Sequence, residues 1–255
     1  MITIISPTTT MNFDKNINLN KHSTPFFAND ANYLMSILKT LSIEEVSGLM
    51  NLSDDLSNLN FNRYKNFGNQ NNKKCQSLFA FDGEVFSCMN ANDFNDDEIE
   101  FANKHFKIIS GLYGVLSPLD LIEPYRLEMK AKLNNKYGKD LYKFWKCKIT
   151  EFLINELDKQ KNKILVNLAS SEYLKCVDLK KLGDFKFIDI VFKEYDASKD
   201  VYTVKGLYAK KARGYMVSYI VKNKIDNAND LMKFDLEGYK FNKDLSNNNS
   251  FVFTR

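Results

Sequence analysis

No stretch of the 255 residues approaches the roughly 18 uninterrupted apolar residues that a membrane-crossing helix requires, so no membrane partner is expected. The N-terminus reads Met1-Ile2-Thr3-Ile4-Ile5-Ser6-Pro7, with neither a basic segment nor a small-residue cleavage site, and a secretory leader is not expected. Only four cysteines occur (Cys75, Cys88, Cys147 and Cys176), with no CxxC pair, and only two histidines, His22 and His105. That scarcity argues against a structural zinc site or a facial-triad iron site and fits free thiols in a reducing cytoplasm. No metal and no cofactor is called for. With 10 glycines, 4 prolines, no Pro/Gly/Ser-rich linker and no internal repeat, a single domain over residues 1–255 is expected.

What is present is an ordinary globular balance. Hydrophobic residues make up 44% and charged residues 27%, which excludes a disordered or fibrous chain. Ile2, Ile4 and Ile5 open a short strand ending at Ser6-Pro7. Ser42 with Glu45, and Asn95 with Glu98, have the capping-box spacing of a helix start. Leu141, Phe144, Trp145, Ile149, Phe152, Leu153 and Leu157 step by threes and fours along an amphipathic helix. Ile164 to Leu168 is a buried-type strand. Phe185–Tyr195 and Val201–Tyr208 flank a turn at 196–200 as a long hairpin, followed by a helix from about Lys211 to Lys224 and a last strand through Phe251 and Phe253. The fold class is mixed α/β.

Four segments suggest chemistry. In Ser110-Gly111-Leu112-Tyr113-Gly114-Val115-Leu116-Ser117-Pro118, Gly111 and Gly114 permit a tight turn that either presents backbone N–H groups to a phosphate or serves packing in a strand-to-helix turn; Pro118 suits the start of a short helix. Pro124 to Met129 alternates like a strand and places Arg126 and Glu128 on one face, either as a plain ion pair or as a phosphate clamp with an adjacent acid/base. Asn167-Leu168-Ala169-Ser170-Ser171-Glu172-Tyr173 follows a strand and opens a helix, where open α/β sheets place ligands; capping by Ser170 or Ser171 also accounts for it.

The fourth segment weighs most. From Lys205 to Lys224 stand Lys205, Lys210, Lys211, Arg213, Lys222 and Lys224, with no acid among them. Cations at a helix start oppose the dipole and lower stability unless an anion arrives, so this cluster predicts phosphate binding. Acidic residues gather elsewhere, around Asp93 to Glu100, so the formal charge of +4 conceals a polarised surface.

These segments resemble the YaaA family of bacterial peroxide-stress proteins. The resemblance runs through Ile5-Ser6-Pro7 with Thr10, Ser110 to Leu116 with Pro118 to Leu121, and Pro124 to Met129. It continues through Gly138 to Tyr142 with Phe144-Trp145, Asn167 to Ser170 with Glu172-Tyr173, Tyr208 to Gly214, and Glu237 to Tyr239. It implies a cytoplasmic protein that helps cells survive hydrogen peroxide by lowering free iron and limiting the damage done to DNA and protein. It further implies a fold with a helix-hairpin-helix element and a positively charged, DNA-binding cleft. The cleft role falls on Lys210, Lys211, Arg213 and Arg126, and the hairpin role on Gly111 to Leu116. Where the family commonly has Ser-Pro-Ala-Lys-Thr, this chain reads Ser6-Pro7-Thr8-Thr9-Thr10, without a cation at Thr9.

Two readings follow. In the first, a basic cleft binds duplex or structured DNA through its phosphates, with Gly111, Gly114, Asn167 and Ser170 assisting the cationic residues. In the second, the same cations clamp a nucleotide or other phosphorylated metabolite while Glu172 or Glu128 acts as acid/base and Tyr113 or Tyr173 as proton donor. Convergence of Glu172, Arg126 and Lys210 on one enclosed pocket favours the second reading.

Overall fold

Ile2, Ile4 and Ile5 have no polar face to offer, and the strand they form is buried on both sides, as the centre of a parallel sheet requires. The computed structural model describes residues 1–15, 17 and 19–255. After β1 (Ile2–Ile5) come α1 (Ala28–Leu38), α2 (Ile43–Met50), α3 (Asp54–Asn66), β2 (Cys75–Gln76), α4 (Ser77–Ala80), α5 (Glu84–Met89) and α6 (Asp96–His105). Next are β3 (Phe106–Ser110), β4 (Gly114–Leu116), β5 (Leu121–Ile122), α7 (Leu141–Asp158), β6 (Ile164–Asn167) and α8 (Ser171–Leu174). The chain ends with β7 (Lys186–Asp196), β8 (Val201–Thr203), α9 (Gly206–Lys222), α10 (Ala228–Leu231), β9 (Lys240–Phe241) and β10 (Ser250–Thr254).

The main sheet runs β4-β3-β1-β6-β7-β10-β9, with β8 paired to the far end of β7. Strands β3, β1, β6, β7 and β10 are parallel, and β4, β9 and β8 are antiparallel additions. A separate antiparallel pair joins β2 to β5. This is the mixed α/β architecture expected, built around one hydrophobic core in which Trp145, Phe144, Phe106, Phe81 and Tyr64 are fully buried. Both expected capping boxes are present, Ser42 with Glu45 on α2 and Asn95 with Glu98 on α6.

Local expectations differ from the structure in four places. The second arm of the 196–200 hairpin stops at Thr203, and the helix begins at Gly206 rather than near Lys211. The run of Val201, Tyr202, Thr203, Val204, Leu207 and Tyr208 has strand character, but only Val201–Thr203 pairs with β7, and Leu207 and Tyr208 fall in α9, which packs closely on α5. Residues Gly111 to Tyr113 turn β3 directly into β4, so Gly111–Leu116 connects two strands rather than two helices. Pro118 starts no helix, because the Asp120 carboxylate accepts from the Ser117 N–H at 2.8 Å and closes a turn. Pro124–Met129 keeps its alternation, Tyr125 and Leu127 inward and Arg126 and Glu128 outward, but pairs with no strand.

Candidate functional site

The chain leaves β1 for β3 on one side and leaves β6 for β7 on the other. The carboxyl ends of β1 and β6 therefore meet at a topological switch point, where the crossovers diverge and open a crevice. Ser6–Thr10 follows β1 and Leu168–Ser170 follows β6. The loops are tied together: the Ser170 N–H donates to Ser6 Oγ at 2.8 Å, and Ser6 Oγ–H donates to Ser170 Oγ at 3.2 Å. Thr8 Oγ1–H donates to the Thr10 carbonyl at 2.7 Å and folds the first loop back. Asn167 is buried beneath, its Oδ1 accepting from the Ala169 N–H and its Nδ2 donating to Asp189 Oδ1 at 2.7 Å. The Asn167 amide shapes the loop from behind and is committed to protein partners.

A cleft of about 290 Å³ opens above these loops, walled by Ser6 and Thr8–Thr10, by Asp82–Val85 before and within α5, by Ser170 and Tyr173, and by Lys210 and Arg213 of α9. Lys210 and Arg213 are three residues apart and share a helix face. They lie within the helix rather than at its start, where only Lys205 stands as N-cap. Gly214 lets that face approach, because a Cβ there would lie 2.2 Å from the Val85 carbonyl oxygen.

Charge in the cleft divides into paired and unpaired groups. Lys15 pairs with Asp82 at 3.3 Å and Lys211 with Glu84 at 3.7 Å. Lys211 is thus engaged at the cleft's edge. Lys210 and Arg213 touch no carboxylate among the described residues, and Arg213 Nε is buried without a hydrogen-bond partner. Burial pushes the Arg213 guanidinium below its ordinary value, and the charge of Asp189 offsets only part of this. A guanidinium desolvated without an acceptor is costly, and a bound anion would relieve it. Burial, followed by the charges of Glu172, Tyr125 and Glu128, raises the Tyr173 hydroxyl, so it stays protonated and able to donate.

The remaining candidates lie elsewhere. Arg126 donates through Nε and Nη2 to Glu128 Oε1 at 3.2 and 2.6 Å, and Lys130 Nζ lies 3.0 Å from Glu128 Oε2. Burial raises the Glu128 carboxyl, but its bonds to Arg126 and Lys130 outweigh that and hold it below the usual range. With Lys130, Lys132 and the C-terminal end of α2 these residues line a separate open groove of about 760 Å³. Glu172 Oε1 accepts from the Lys130 N–H at 3.2 Å and is among the lining residues of neither the cleft nor that groove. Glu172, Arg126 and Lys210 therefore do not converge on one pocket.

Tyr113 lines a third cavity, beyond β5. Gly111 and Gly114 serve packing: a Cβ at Gly111 would lie 2.2 Å from the Leu127 carbonyl oxygen, and one at Gly114 would lie 2.6 Å from the Trp145 ring. Trp145 Nε1 donates to the Gly111 carbonyl at 2.8 Å. Sequence reasoning named Ser6 and Thr8 only through the family resemblance and passed over Asp82 and Glu84. The loop after the first strand carried a usable signal, since four hydroxyl residues at a parallel strand's carboxyl end suit an anion. Asp82 and Glu84 carried none. No group of three His, Cys, Asp or Glu residues stands together to hold a metal among the described residues, and no helix there is long and apolar enough to cross a membrane.

A family model described as peroxide stress protein YaaA matches residues 1–245. A UPF0246 protein of Legionella pneumophila is 43% identical over 263 residues, covering 100% of this chain and 99% of that protein. A UPF0246 protein of Clostridium botulinum is 45% identical over 257 residues, covering 100% and 99%. One of Alteromonas mediterranea is 39% identical over 258 residues, covering 100% and 98%. The chain belongs to the peroxide stress protein YaaA family.

Proposed function

We propose that this protein serves peroxide stress by holding a phosphate-bearing small molecule of about nucleotide size in the switch-point cleft, with the phosphate between Lys210 and Arg213. The carrying observation is Arg213, which lines the cleft together with loops rich in hydroxyl groups and whose buried Nε has no hydrogen-bond partner. At about 290 Å³ the cleft is near the lower end of small-molecule pockets, a size that suits a compact phosphate-bearing ligand and not a duplex. Glu128 and Glu172, the acid/base candidates, are not among its lining residues, and the reading proposed is one of binding.

Calorimetric titration with inorganic phosphate and nucleoside monophosphates tests this reading. A charge-assisted hydrogen bond contributes about 1.5–3 kcal/mol, so Arg213→Ala is expected to weaken binding by at least about tenfold, while Arg126→Ala leaves it unchanged. Wild-type affinity in Arg213→Ala refutes the reading.

A second reading, DNA held through its phosphates to limit damage by iron and peroxide, is favoured by the open groove beside Arg126, Lys130 and Lys132. It predicts DNA affinity that falls with salt at a log–log slope near −0.9 per phosphate contacted. Arg126→Ala and Lys132→Ala then weaken DNA binding and leave mononucleotide binding intact. Fluorescence anisotropy across a salt series separates the two readings.

A further inference from the structure

The cavity lined by Tyr113 shares no residue with the cleft at the ends of β1 and β6. Its position follows from the small sheet. Cys75 pairs with Ile122 in the β2–β5 ladder, so Lys74 and Glu123, one residue beyond on each strand, face each other at its end. A third segment closes the cavity: the Ser23 N–H donates to the Leu119 carbonyl, the Leu121 N–H donates to the Ser23 carbonyl, and Ser23 Oγ–H donates to Asp120. The result is a pocket of about 390 Å³ with Glu123, Lys74, Phe67 and Tyr113 among its lining residues.

The Glu123 side chain is only 9% exposed. Its Oε2 accepts from the Gly68 N–H at 2.8 Å and from Asn72 Nδ2 at 2.5 Å. Among the described residues its Oε1 has one cationic neighbour, Lys74 Nζ at 3.7 Å, beyond hydrogen-bond length and on a side chain that is 51% exposed. The Tyr113 hydroxyl oxygen accepts from the Glu123 backbone N–H at 3.2 Å, tying this aromatic side chain to the same cavity wall. The Phe67 ring lies 6.3 Å from that of Tyr113, centroid to centroid. A largely buried carboxylate with one oxygen that takes no hydrogen bond from the described residues and stays open to the cavity, in a pocket lined by two aromatic rings, is the chemistry that recognises an organic ammonium.

We propose that this cavity binds the ammonium group of a small organic amine, which donates to Glu123 Oε1 and displaces the loosely held Lys74 toward solvent. The lysine is then a competitor for the site, and this sets the sign of the test. Calorimetric titration of the full-length protein with putrescine at low ionic strength uses butane-1,4-diol and acetate as controls. Putrescine is expected to bind and both controls to fail, with Glu123→Gln weakening putrescine at least tenfold. Lys74→Ala, a change at an exposed position, is expected to tighten putrescine several-fold. Weaker putrescine binding in Lys74→Ala, binding of acetate in place of putrescine, or no putrescine binding in either wild type or Lys74→Ala overturns the proposal.

Discussion

The Val85 carbonyl oxygen lies 2.2 Å from where a Cβ on residue 214 would be, so α9 and α5 approach at a distance only glycine permits. Arg213 is the neighbour of Gly214, and Val85 and Glu84 line the opposite wall of the cleft. Gly214→Ala is expected to force the helices apart, lowering stability by about 1–3 kcal/mol. Affinity for inorganic phosphate should fall in parallel. Urea unfolding and calorimetry on the same preparation check both, and an unchanged unfolding midpoint would show that the contact relaxes at little cost.

Ser6 bridges the loops that follow β1 and β6. Ser6→Ala leaves the Ser170 N–H without its acceptor, a loss expected to cost about 1–3 kcal/mol for a part-buried donor. Thermal unfolding measures that loss. Ser6→Thr keeps the oxygen and should restore most of it.

Gly111→Ala and Gly114→Ala are predicted to destabilise the protein without a specific effect on phosphate affinity. The first meets the Leu127 carbonyl; the second meets Trp145 and also requires an alanine at φ +69°. Each is expected to cost at least about 1–3 kcal/mol, read by urea denaturation. A selective loss of phosphate binding in a fully folded Gly114→Ala protein would return a ligand role to this turn.

The Arg126–Glu128 pair makes stability depend on pH. The folded-state value of Glu128 is depressed, so its contribution is present above the ordinary carboxylate value and is lost as pH falls through the depressed one. Arg126→Ala removes the leading source of the depression while burial, which raises the value, remains. The acid-unfolding midpoint followed by circular dichroism is therefore expected to move to higher pH. Glu128→Gln should abolish the difference that Arg126→Ala makes; if it does not, another group carries the effect.

Much of the fold was legible because local and global preferences agree. The apolar Ile2–Ile5 run, the three- and four-residue steps of α7, and the Ser42 and Asn95 caps each specify an element regardless of what packs on it. Legibility failed where a segment suits two states. Val201–Tyr208 has strand-forming side chains at all but Lys205 and Gly206, and its division into β8 and α9 accompanies the packing of α9 against α5 and β7. Pro124–Met129 alternates like a strand but meets no partner edge, so the alternation survives without a ladder. At the site, Lys210, Arg213, Ser170 and Tyr173 were identifiable by residue type and position after a strand. Their separation from Arg126, Glu128 and Glu172 was not, since nothing local says which segments face each other across the sheet.

By itself the sequence determined the mixed α/β class, the family and the identity of the cationic residues, because hydrophobic period, capping chemistry and motif order are properties of short segments. Only the tertiary structure decided which cations are free. Lys211 and Lys210 are adjacent in the chain, yet the first faces Glu84 and the second touches no carboxylate among the described residues. That difference follows from the roughly 100° rotation per residue of an α-helix set against the Glu84 carboxylate of α5. The order β3-β1-β6-β7, fixed by strand pairing between distant segments, likewise decided that the loops after Ile5 and Asn167 would meet, and with them the Arg213 guanidinium and its unpartnered Nε.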